Sequence, residues 1–168
     1  MDNEGYSGTD GRTSIFDYWR IEAYQQWVGK GQFDDRLLNE YQKNLRKQYV
    51  EILQLRNQFN EVLQNGGFYD LMWVNQHADT ANLYAYIRHT SKNVLLIVLN
   101  FGPHEKQIQE LFIPGHAISH IDLQPQGALR AKPIWGEHQD VDFDVEEQGR
   151  QRGCFQLPEF GGCVFTLK

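Results

Sequence analysis

The sequence predicts a mainly β chain: an antiparallel β-sandwich, with Greek-key connections, preceded by one long α-helix. Two observations carry this. After Gly67, short β-rich runs alternate with turn formers at a spacing of about 8 to 12 residues, the pattern of a sandwich or barrel. Before it, residues 34–65 place apolar side chains at three- and four-residue intervals, the period of an amphipathic helix. With 168 residues the chain suits one domain, or one domain with an appendage. Its 40% hydrophobic content is enough for a core, which excludes a disordered or fibrous chain.

Three regions follow in order. Residues 1–33 form an irregular, aromatic-rich lead. It starts as a loop, with Gly5, Gly8 and Gly11 among Ser7, Thr9 and Asp10. It then loads Ile15, Phe16, Tyr18, Trp19, Ile21, Tyr24, Trp27 and Val28 onto more than one face. That is too much apolar surface for a solvated helix and asks for partners on both sides. Residues 34–65 are the helix, with Asp34 or Asp35 as candidate N-cap and a stripe of Leu37, Leu38, Tyr41, Leu45, Tyr49, Ile52, Leu53, Phe59, Val62 and Leu63. Gly66 and Gly67 end it. Residues 68–168 are the β-sandwich, with expected strands at 68–74, 82–90, 93–101, 107–113, 119–123, 128–135, 141–146, 154–157 and 163–167. Residues 94–99 lack alternation, which predicts a central strand covered on both sides. Val141, Phe143 and Val145 alternate with Asp142, Asp144 and Glu146, which predicts one buried and one solvated face.

Composition narrows the function. The 22 Asp and Glu outnumber the 16 Lys and Arg, and no basic cluster forms, so no nucleic-acid partner is expected. The longest strongly apolar run, Val94 to Leu99, falls far short of the ~20 residues that span a bilayer, so no membrane partner is expected either. No secretory signal is visible at the N-terminus, and the compartment stays open. Cys154 and Cys163 could meet across a hairpin as a disulfide, although two reduced, buried thiols is the plainer reading.

No catalytic constellation emerges. Gly5-Tyr6-Ser7-Gly8 has the wrong spacing for a nucleophile elbow, and Gly29-Lys30-Gly31 is a fragment of a phosphate loop with no following Ser or Thr. His138, Asp140, Asp142 and Asp144 hint at a calcium loop, but the glycine and the terminal glutamate that such a loop needs are missing. His116 and His120 are four apart and could share a metal on a helix, but Pro114-Gly115 and the β context argue against a helix there. Neither a catalytic residue, a metal nor a cofactor is assigned. The aromatics remain: Trp73 and Trp135, with Tyr69, Tyr84 and Tyr86, sit on or near expected strands. They could stack sugar rings as a carbohydrate-binding surface, although core packing would use the same residues.

The run EGYSGTDGRTSIFDYW, Glu4 to Trp19, followed by LRKQYVEILQLRN and NGGFYDLMWVN, resembles the end of proteins in the alpha-amylase family of glycoside hydrolases. In some bacterial members a similar segment follows the last strand of the (β/α)8 barrel, and a helix then leads to an all-β C-terminal domain. Leu83 to Gly102 looks like a strand pair of that domain, and LPEFGGCVFTL, Leu157 to Leu167, is similar to the family's closing pattern. The resemblance implies a non-catalytic C-terminal region whose partner is the missing catalytic barrel. The barrel would carry the retaining machinery, acting on α-glucans or maltooligosaccharides, and none of its carboxylates maps onto this chain. An α-glucan is a further possible partner. The surplus apolar surface would face the barrel or, without it, self-associate through Phe16, Trp19 and Trp27.

Overall fold

A computed structural model describes residues 22–77, 81–121, 123 and 127–168. The segment Glu4–Trp19, including Phe16 and Trp19, lies outside the described residues. The chain divides into two units, Met1–Glu51 and Ile52–Lys168.

In the first unit a short helix, α1 (Glu22–Trp27), leads through a tight turn to the long helix α2 (Glu40–Gln58). The α2 N-terminus is a reciprocal capping box. The Gln42 N–H donates to Asn39 Oδ1 at 2.9 Å, and the Asn39 N–H donates to Gln42 Oε1 at 3.0 Å. Asp34 and Asp35 are therefore not the cap. Asp34 instead accepts from the Arg36 guanidinium at 2.6 Å, a local turn that holds the chain out of the helix. Arg46, nearly two turns into α2, ties down the preceding loop. Its guanidinium donates to the carbonyls of Trp27 at 2.8 Å, Phe33 at 2.8 Å and Asp34 at 3.3 Å, and lies 5.4 Å from the Trp27 ring centroid. Trp27 also meets Tyr49 edge-on at 6.5 Å, which leaves its indole half-buried.

In the second unit the last turns of α2 give way at Phe59 to α3 (Asn60–Gln64). Gly66 then passes so close to α3 that a Cβ there would lie 2.3 Å from the Val62 carbonyl oxygen, so this glycine serves close approach rather than a left-handed cap. Nine strands follow among the described residues: β1 (Gly67–Asp70), β2 (Leu83–His89), β3 (Val94–Asn100), β4 (Lys106–Ile113), β5 (Arg130–Trp135), β6 (Val141–Asp142), β7 (Asp144–Val145), β8 (Gln151–Leu157) and β9 (Gly162–Leu167). They form two antiparallel sheets, in the orders β1-β2-β3-β9-β5-β6 and β4-β8-β7. Between the sheets lies the main core, including Ile87, Leu96 and Phe165 from the large sheet and Ile108, Leu111 and Phe155 from the small one. This is the mainly β, sandwich-like fold expected from the sequence.

As its unbroken apolar run predicts, β3 is covered on both faces. Leu96 and Val98 point into the main core, while Leu95 and Ile97 join Val62, Val164, Leu55 and Phe59 in a second cluster on the outer face.

Two expected strands are corrected. The described residues of 119–123 show no strand; α4 (Gly115–His120), entered from extended Pro114, covers the start of this stretch. Ala117, Ile118 and Ile121 are all buried, a spacing that one helical face satisfies and a strand would split between opposite faces. Residues 141–146 do not make one alternating strand. β6 pairs with β5 in the large sheet and β7 with β8 in the small one. Phe143, 2% exposed, fills the core where the chain changes sheet, so Val145 emerges 52% exposed. Neither Cys154 nor Cys163 is in a disulfide; Cys163 is buried as expected, but Cys154 is exposed.

Candidate functional site

β1 ends at Asp70, and the chain turns sharply across Met72, Trp73 and Val74. Asp70 Oδ1 accepts the Met72 N–H at 2.8 Å, and the Val74 N–H returns to the Leu71 carbonyl at 3.3 Å. The turn is stapled to β4 by a fully buried amide. Asn75 Nδ2 donates to the carbonyls of Leu71 at 2.8 Å and Phe112 at 3.0 Å, and its Oδ1 accepts the Phe112 N–H at 2.8 Å. A buried amide satisfied on both ends holds its loop in one arrangement.

That turn presents Trp73, 51% exposed. The Tyr69 phenol lies beside the indole. The Tyr69 hydroxyl in turn shares a 2.8 Å hydrogen bond with His116 Nε2. The Trp73 and His116 rings are 5.5 Å apart and tilted by 38°. Burial pushes the Tyr69 phenol above its ordinary range, and the neighbouring Trp73 indole partly offsets this. Beyond His116 opens a groove of about 520 Å³, lined by Pro114, Gly115, His116, Glu147, Gln148 and Arg150. One wall needs a glycine, because a Cβ at Gly115 would lie 2.2 Å from the Gln148 carbonyl oxygen. Arg150 is already committed: its Nε donates to Glu146 at 2.7 Å, and its guanidinium lies 4.3 Å from the Phe112 ring centroid.

Trp135 lies elsewhere. It is half-buried on β5 and packs against the outer-face cluster of Leu95, Ile97 and Val164. Tyr84 and Tyr86 stack on each other at 5.5 Å along β2. The structure therefore brings Trp73 together with Tyr69 and leaves Trp135 apart.

His116 and His120 share a helix, contrary to the sequence expectation, and both lie beside Tyr69. Among the described residues no group of three or more His, Cys, Asp or Glu is placed to hold a metal. His89 stands 5.7 Å from His120, ring to ring, with its Nε2 buried against Gly67. Burial, followed by the neighbouring His120 and Arg88, holds this imidazole below its usual range. The acidic residues of the rejected calcium loop are taken up by cations: Asp140 and Asp142 by Arg130, and Asp144 by Arg152.

Sequence reasoning picked out Trp73 and Tyr69 as candidate stacking aromatics and His116 as a candidate ligand, but not their meeting at one place. Tyr69 and His116 are 47 residues apart, and no periodicity announces their contact.

No protein-family model and no curated protein sequence matches the chain. Solved structures do. The chain is similar in structure to alpha-amylase family glycoside hydrolases. Isomaltulose synthase of Erwinia rhapontici NX5 matches over 71% of this chain and 17% of its own, at 18% identity and a TM-score of 0.41. AmyP in complex with maltose matches over 77% and 21%, at 16% identity and a TM-score of 0.49. Trehalose-6-phosphate hydrolase of Bacillus licheniformis matches over 71% and 17%, at 23% identity and a TM-score of 0.42. The chain thus spans 17–21% of the length of these proteins.

Proposed function

We propose that this chain is the non-catalytic C-terminal region of an alpha-amylase family glycoside hydrolase acting on α-glucans or maltooligosaccharides, and that it packs on and stabilises the catalytic barrel. The residue-level resemblance at both ends of the chain supports this reading, as does a sandwich reached through a helix.

One observation carries the docking role. α2 has no buried residue, yet Tyr41, Leu45, Tyr49, Ile52 and Leu53 recur along one side of it, with Tyr41 77% and Leu53 57% exposed. An apolar stripe left in water at this scale marks an interface. A parent barrel, lying ahead of the lead in the chain, would cover it.

The isolated chain is inert in this reading, because the reacting carboxylates belong to the barrel. Incubation with maltooligosaccharides and a p-nitrophenyl α-glucoside should give no turnover above a buffer control. Turnover would overturn the non-catalytic role. Without the barrel, the chain is expected to self-associate through Phe16, Trp19 and Trp27, which sedimentation equilibrium would register as a concentration-dependent mass.

A second reading, an α-glucan-binding surface built on Trp73 and Trp135, is favoured at Trp73, whose ring stands half in solvent.

A further inference from the structure

We infer that Trp73, Tyr69 and the groove beside His116 form a neutral-sugar subsite that takes a glucose ring of an α-linked glucan; the α-linkage rests on the glucan-binding reading above. The ligand class follows from the geometry. A pyranose has an apolar C–H face and a rim of hydroxyls, so it needs a flat aromatic surface with donors and acceptors beside it. Here the indole is held in place by the His116 ring beside it and by the turn that Asn75 staples, while half its surface stays open. An aromatic platform fixed before binding loses little rotamer freedom on meeting a ligand.

The groove supplies the polar half. His116 lines the cleft with its ring 5.5 Å from the indole, and Glu147, Gln148 and Arg150 give the cleft a polar lining. Its volume of about 520 Å³ lies inside the roughly 300–1,000 Å³ typical of small-ligand sites. Charge selects a neutral sugar over a phosphorylated one. Arg150 is paired with Glu146 and stacked on Phe112, and Glu147 adds a negative charge, so no spare cation awaits a phosphate.

The test titrates the full chain with maltoheptaose to about 10 mM, a range set by the millimolar affinity of a shallow one-ring site, while the Trp indole N–H resonances are followed by NMR. The Trp73 indole is expected to shift and that of Trp135 to stay. Trp73→Ala should weaken binding at least tenfold without altering the far-UV circular dichroism. Gly115→Ala, whose Cβ would push the groove wall away from the Gln148 backbone, should weaken binding while the Trp73 resonance stays near its native position. A shift confined to other tryptophans, or undiminished binding by Trp73→Ala, would overturn the subsite. Cellohexaose run in parallel separates the two claims. Binding of cellohexaose alone overturns the α-linked assignment and the glucan reading beneath it. Silence with both sugars overturns the subsite and leaves barrel docking to its own test.

Discussion

Replacing Asn75 by alanine strips the Trp73 turn of its staple. The Leu71 carbonyl keeps the Val74 N–H at 3.3 Å, but Phe112 loses the partner of both its N–H and its carbonyl. Two part-buried backbone groups left unpaired cost roughly 1–3 kcal/mol each, and partial relaxation sets the net loss at about 3 kcal/mol, roughly a 150-fold change in the folding equilibrium. With a urea m-value of about 2 kcal/mol/M, the unfolding midpoint should fall by about 1.5 M at unchanged slope. The same variant should raise iodide quenching of Trp73 fluorescence, read against Trp73→Phe to isolate that ring. Asn75→Asp should be no rescue, because a carboxylate oxygen would then face the Leu71 and Phe112 carbonyls. A midpoint shift below about 0.3 M would refute the idea that this amide holds the turn.

Other outcomes follow from single contacts. Arg46→Ala removes three hydrogen bonds to loop carbonyls, and a local loss of about 2 kcal/mol should raise proteolytic cleavage within residues 28–38 about 30-fold. Arg46→Lys should not restore protection, since an ammonium cannot span the fork; native-like resistance in either variant would contradict the assignment. Burial pushes the Cys163 thiol up to about 11, while Cys154 is exposed, so a disulfide reagent at pH 8 should titrate one thiol quickly and the second only in denaturant. Two fast thiols would contradict this. The folded chain holds His89 below its usual range, so below about pH 6.5 the unfolded chain binds the extra proton and stability falls as pH drops. His89→Gln should flatten that acid limb between pH 6.5 and 5, and an unchanged slope would remove His89 from the account.

The fold was legible where local pattern and final environment agree. The unbroken run at Val94–Leu99 announced a strand covered on both sides, and β3 is one. Where tertiary context decides, the reading failed in definite ways. Ile118 and Ile121 look like strand residues after Pro114-Gly115, but only a helix puts Ala117 beside them on one buried face. Val145 continues the alternation of Val141 and Phe143, yet the chain leaves one sheet for the other at Phe143. Asn39 and Gln42 formed a readable capping box, obscured by the more conspicuous Asp34-Asp35 pair. At the site, Trp73 stood out by residue type. The Tyr69 to His116 contact, the Asn75 staple and the turn at Glu147–Gly149 come together only when β1, β4 and α4 pack, which no local spacing encodes.

Full-length mass in the native cell bears most directly on the central proposal. A (β/α)8 barrel adds roughly 250 residues or more, so an immunoblot with antibody raised against the β8–β9 region should detect a polypeptide well above the 19.7 kDa of this chain, near 50 kDa or larger. A single species at 19.7 kDa would contradict the proposal that this chain serves as the rear portion of a sugar-cleaving enzyme.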